Sequence, residues 1–256
     1  MGPIGEIAAL YGRIGRACWS WAPTLLLLAL VVFVPLGLIG TVSVEMEIDS
    51  LDFGNGAKIA ALLAAIGALT ATSLVGEVFY SGAIAVSLTH PGQERPSLAH
   101  IARHLDYRRL IVVDLVYVAL VVVGLALLVV PGVLAFVWLG LSGPVMELER
   151  PTVRGALVRS WQLVRGRFWL VFGVLVPIEL AGEAAGEAIA EWIHDLLGPD
   201  FLATWFAEVA GNVLFAPIFA VAAVVLTVQL IAEKDGDGPR LNPRATGADR
   251  PTPVSA

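Results

Sequence analysis

Six stretches of this chain are too apolar to rest in water and long enough, or nearly so, to cross a bilayer. A helix rising 1.5 Å per residue needs about 20 apolar residues to traverse the hydrocarbon layer. Segments of this kind fall at about Ala22 to Val44, Ile59 to Leu88, Leu110 to Val129, Gly132 to Val145, Phe168 to Ala190 and Ala207 to Ile231. The fourth is short and begins inside the turn VVPGV, where Pro131 suits the first turn of a helix and Gly132 frees a hairpin. With 57% hydrophobic residues, 15% charged and a mean hydropathy of +0.82, the 256 residues exclude a water-soluble domain. The expected fold is all-α and polytopic, with six transmembrane helices arranged as three hairpins. The first apolar run is too long for a removable signal peptide and lacks a small-residue cleavage site. Residues 1–233 are expected to form the membrane domain. Residues 234–256, rich in Gly, Pro and charge, are expected to form a disordered tail.

Charge placement sets the expected orientation. Lys and Arg near span ends are retained on the cytoplasmic side. Of the 16 basic residues, all but Lys58 lie before the first span, between spans two and three, between four and five, or in the tail. Lys58 sits opposite, beside Glu45, Glu47, Asp49 and Asp52. The expected location is therefore an inner membrane, multi-pass, with both termini cytoplasmic. A net charge of −6 carries no nucleic-acid footprint. Cys18 is the only cysteine, which excludes an internal disulfide or a cysteine cluster.

The densest positive charge opens the third unit. On a helical wheel from Arg154, residues Val153, Ala156, Leu157, Trp161, Leu163, Val164 and Phe168 share one half, while Arg159, Gln162 and Arg165 join Arg154 on the other. Such a helix can lie in the interface with its arginines among anionic headgroups. Arg154, Arg159, Arg165 and Arg167, with Trp161 and Trp169 at aromatic-belt depth, are the candidate residues for binding lipid or a partner. The alternative is that these arginines serve only as topology signals. The motif also recurs: Glu94 and Glu149 each open Glu-Arg-Pro-Ser/Thr-aliphatic before an amphipathic helix and a span, with Ser97 and Thr152 as expected N-caps. The N-terminal PIGEIAALYGRIGRACWSW also precedes a span, which gives three units of a cytoplasmic interfacial helix followed by a hairpin.

The run LSGPVMELERPTVRGALVRSWQLVRGRFWLVFGV, with Pro144, Glu147, Ala156, Leu157, Ser160, Trp161, Leu163, Gly166, Phe168 and Trp169, resembles the signature of a bacterial six-helix family. That family is named for the membrane domain attached to some glycerophosphodiester phosphodiesterases. The resemblance implies a six-span integral membrane domain whose stand-alone members have no established activity. The catalytic barrel of the fused enzymes has no counterpart here, because the spans fill the chain.

Ionisable residues within spans are the remaining candidates for chemistry, each costing at least about 2.5–3.5 kcal/mol at the bilayer centre unless paired or hydrated. Glu77 and Glu179 fall near the midplane, and Asp114 lies shallower, within expected reach of Arg108 or Arg109. These three define a candidate polar pocket or proton relay, against the alternative of protonated carboxyls hydrogen-bonded between helices. Glu179, Glu183, Glu187 and Glu191 repeat at i, i+4, and like charges so spaced call for water, a cation or protons. Glu191 and His194 make a single Glu-x-x-His pair, and His100 and His104 lack a nearby third ligand, so no metal site and no cofactor is expected. No nucleophile elbow, phosphate loop or His-Glu-x-x-His occurs, and no enzyme is expected. Two functions fit. One is a non-enzymatic accessory or scaffold that engages anionic lipid, a membrane-protein partner or a second copy through the arginine-rich helices. The other is a small transporter or lipid-handling carrier with a midplane carboxylate pocket.

Overall fold

A computed structural model describes residues 3–45, 76–90, 96–198, 200–236 and 238–243. Among the described residues all regular structure is helical: α1 (Pro3–Glu45), α2 (Glu77–Leu88), α3 (Leu98–His104), α4 (Tyr107–Leu127), α5 (Val129–Leu139), α6 (Ser142–Glu149), α7 (Val153–Arg165), α8 (Phe168–Leu197) and α9 (Phe201–Asp235). Five stretches are long and apolar enough to cross a membrane: Gly5–Leu38, Tyr107–Leu127, Val129–Glu149, Phe168–Leu197 and Phe201–Asp235. That pattern marks an integral membrane protein. Of the expected second span, the 12-residue α2 is described, and 59–75 lie outside the described residues.

The N-terminal amphipathic segment is not a separate interfacial helix. Leu10, Ile14, Ala17, Trp21, Leu25, Leu28 and Phe33 are all buried and form one stripe at helical spacing that passes into the span without a change of phase. A stripe that keeps its phase packs as one continuous helix, and α1 is 43 residues long. The other two interfacial helices begin where the sequence places them. Ser97 Oγ accepts from His100 N at 3.2 Å, and Thr152 Oγ1 accepts from Gly155 N at 3.1 Å. Each cap satisfies an amide that the first helical turn leaves without a partner.

The α4–α5 hairpin turns at Leu128, whose backbone is extended. The two arms meet through glycine: a Cβ on Gly124 would lie 2.8 Å from Gly132 Cα. The fourth span is broken into α5 and α6 at Gly140–Leu141. Pro144 lacks the N–H that would otherwise reach back to Gly140, so the ladder stops there. Beyond the break α6 presses on α2 through Gly143, where a Cβ would strike the Val78 carbonyl.

At the centre stands α9, which packs against α1, α8 and α2. Its buried run includes Ala216, Phe219, Ala220, Val221, Ala222, Ala223 and Val224, and the small side chains allow close approach without a polar seam. The helix also continues past the expected boundary at Glu233 to Asp235, and the expected tail is not wholly detached. Residue Asn242 donates from its backbone N to Leu88 O at 2.7 Å and from Nδ2 to His90 O at 3.0 Å, which seats 238–243 on the end of α2. Residues 244–256 lie outside the described residues.

Candidate functional site

Antiparallel packing of α8 on α9 builds an acid-lined cleft. A hydrogen bond between His194 Nε2 and Thr204 Oγ1, 3.3 Å, ties the helices near their shared turn, and a Cβ on Gly211 would lie 3.4 Å from Gly186 Cα. Around these contacts the helices enclose about 580 Å³. Glu179, Glu183 and Glu187 line it from α8, and Glu208 and Asn212 line it from α9. Glu191, the last member of the α8 acidic row, is exposed and does not line the cleft.

The inner end of the cleft is formed by Glu77 at the start of α2. Its side chain is only 8% exposed, and Oε2 is buried with no hydrogen-bond partner among the described residues. Glu77 and Glu179 line the same cleft, with their carboxyl groups next to each other. Beside them stands Tyr117 on α4, fully buried, with a hydroxyl that also has no partner among the described residues. No feature of the linear sequence singles out Tyr117, because an isolated tyrosine in a span reads as core or belt. Glu208 and Asn212 were legible in principle, as polar residues one turn apart within an apolar span.

Asp114 does something different from the expected ion pair. Arg109 turns to its own cap residue, Asp106, at 3.2 Å. Asp114 Oδ2 instead accepts from Gly76 N at 2.8 Å, with the amides of Val78 and Phe79 also turned toward it. Gly76 has φ +96°, so helical geometry begins only at Glu77. A helix that starts in a buried apolar setting exposes amides that no water can satisfy. A carboxylate on the neighbouring helix supplies the missing acceptor, favoured by the positive end of the helix dipole.

The arginine-rich helix α7 buries Ala156, Ser160, Leu163 and Val164 and turns its charges outward, as its periodicity indicates. Two of those charges are taken up within the chain. Arg159 forms a bidentate pair with Glu149, at 2.9 and 3.0 Å, and also meets Asp235 at the end of α9. These carboxylates, Glu149 first, hold the guanidinium above the usual arginine range. Arg167 bridges Glu6 on α1 at 3.2 Å and Glu233 on α9 at 3.0 Å. Arg165 lies over the Trp161 ring, 5.1 Å from its centroid, while Arg154 and Trp169 are exposed. Several residues of the Leu141–Val174 run are structural. Ser160 Oγ donates to Trp138 O at 2.7 Å, Phe168 packs edge-on against Trp138, and Glu147 accepts from the Asp106 amide at 3.2 Å.

Three histidines gather at the same end. His100 stacks on His104 with centroids 4.0 Å apart and meets His90 at 4.8 Å. Desolvation, then the neighbouring His104, His90 and Arg103, holds His100 below the usual histidine range. Among the described residues no three His, Cys, Asp or Glu side chains are placed to hold a metal ion. Compared with known protein families, curated proteins and solved structures, the chain matches none.

Proposed function

We propose that this is a non-enzymatic membrane carrier that accepts a cation in the cleft between α8 and α9. The observation that carries the reading is Glu77, a buried carboxyl with an unpartnered oxygen at the inner end of a cleft lined by four further glutamates. Among the described residues, no Lys or Arg lines this cleft. Burial of carboxyl groups is costly without a counter-charge or protons, and a ligand cation supplies what the walls withhold. The start of α2 beside the site, where Gly76 has φ +96°, supports the same reading, since transporters build their binding sites around helix ends. The placement of the basic residues supports a bacterial cytoplasmic membrane with the Arg167 end inside, so that the cleft opens outward. The likeness of the Leu141–Val174 run to the glycerophosphodiester phosphodiesterase membrane-domain family supports a six-span arrangement.

Dansylcadaverine, a fluorescent primary ammonium, tests the cleft. Its anisotropy should rise on adding purified protein in detergent, and Glu77→Gln or Glu179→Gln should weaken binding at least about tenfold, the scale of one charge-assisted hydrogen bond. Equal binding by wild type and both variants overturns the proposal.

A second reading rests on α7. Exposed Arg154 and Trp169 and the Trp161–Arg165 pair form a surface suited to anionic headgroups or an acidic partner helix. Arg159 and Arg167 are already engaged in internal ion pairs, so Arg154 and Arg165 are the arginines that support this reading. Native mass spectrometry with retained lipid checks it: Arg154→Gln with Arg165→Gln should lose selective anionic lipid, and unchanged lipid retention sinks this reading.

A further inference from the structure

The arrangement of charge in the cleft narrows the kind of cation it takes, granted that it takes one. We infer that the cleft is built for a linear aliphatic polyamine, held extended along α8.

The carboxyls stand in a file. Glu179, Glu183 and Glu187 succeed one another at four-residue intervals, about 6 Å apart along the axis, a little more than one helical turn. Glu208 stands on the opposite wall, with Asn212 one turn along. Divalent metals need several oxygens converging within about 2.6 Å of one point, and a file spread over two turns does not converge. A single ammonium would meet the inner carboxyls and leave the outer members of the row facing one another uncompensated. Ammonium groups joined by short alkyl spacers repeat at the same interval as the glutamates.

The spaces between the charges fit the spacers. Gly182 and Gly186 contribute no side chain to the floor of the cleft, while Ile178, Phe215 and Phe219 give apolar wall where methylene groups would lie. Long amines bury their stems on apolar surface in this way while their charged ends find polar partners. At the inner end the Glu77 carboxyl, whose Oε2 has no partner among the described residues, and Glu179 offer acceptors to a terminal ammonium, which carries three donors and no acceptor. Desolvated acceptors of that kind make the inner subsite the anchor. The outer glutamates then measure the length of the chain.

Competition against bound dansylcadaverine decides the question, with spermidine, n-butylamine and magnesium chloride as competitors at constant ionic strength. Spermidine should displace the probe at concentrations at least about tenfold below n-butylamine, and magnesium should compete weakly. Glu183→Gln and Glu187→Gln should each weaken spermidine roughly tenfold and n-butylamine distinctly less, because only the longer ligand reaches them. Both positions are exposed, so folding is unaffected, and circular dichroism and size-exclusion profiles verify it. If n-butylamine or magnesium competes as well as spermidine while Glu77→Gln still abolishes probe binding, the polyamine assignment falls and the cation cleft stands. If probe binding ignores Glu77, both fall.

Discussion

Asp114 offers the sharpest test of how the cleft is held together. Replacing it by alanine removes the acceptor 2.8 Å from the Gly76 amide and leaves the start of α2 facing a buried methyl group. A hydrogen bond to a charged or strongly polar acceptor contributes about 1.5–3 kcal/mol, and a stranded buried donor costs a similar amount. Loss of the favourable carboxylate–dipole contact adds up to about 1 kcal/mol. Since these effects overlap, Asp114→Ala should cost about 3 kcal/mol, more than a hundredfold in the folding equilibrium. Asp114→Asn keeps a carbonyl oxygen of the same reach and should cost only about 1 kcal/mol. Reversible SDS-driven unfolding in mixed micelles, followed by tryptophan fluorescence, measures both. The same variants titrated with dansylcadaverine should show Asn binding near wild type and Ala impaired, because a loosened α2 no longer fixes Glu77. If alanine unfolds within ~0.5 kcal/mol of wild type, or if asparagine is as damaging as alanine, the amide-capping role is wrong.

Four further outcomes follow from the same contacts. Arg159→Ala leaves Glu149 and Asp235 side by side without their shared cation and should cost about 2 kcal/mol, between exposed and buried pairs, whereas Arg167→Gln, at a more exposed site, should cost under about 1 kcal/mol in the same unfolding assay. Gly132→Ala drives a Cβ into the side chain and backbone nitrogen of Leu125 on the facing helix, so about 1–3 kcal/mol should be lost; a neutral result means the hairpin opens freely. Thr152→Ala should destabilise by about 1 kcal/mol and Thr152→Asp by much less, read by amide exchange at Gly155. For His100 the sign runs toward acid lability. Its folded value lies below the ordinary ~6.5, so the unfolded chain binds the proton first and stability falls as pH drops below that value. Amide exchange of 238–243 should therefore quicken on acidification, and His100→Gln should remove the effect if the histidine cluster causes it.

Much of the helix layout was legible because long apolar runs and caps are local. The span expected at Leu110 to Val129 is α4, Tyr107–Leu127, and Ser97 and Thr152 cap the helices that their Pro-Ser and Pro-Thr steps announce. The span expected to end at Ala190 runs on to Leu197, because its acidic residues sit on one side of a helix and interrupt nothing. The fused α1 needed phase as well as composition. The partners of Asp114 and Arg159 were out of reach, because Gly76 is 38 residues from one and Asp235 is 76 from the other. Glu77 and Glu179 could be placed at one depth from chain distance alone. That they touch, and that Glu208 and Asn212 face them, depends on how α8 and α9 are paired, and no single span encodes that register.

The position of α9 bears on how the protein is made. It packs against α1, α2 and α8, yet it follows all of them in the chain. During synthesis those helices enter the bilayer before the element that fills the space between them has left the ribosome. Until Ala216–Ile231 arrives, the faces of α1 and α2 that it will cover can only meet lipid or the insertion machinery. Assembly therefore waits on α9, and a chain interrupted before Phe201 retains the described helices that precede it but lacks the partner around which they close.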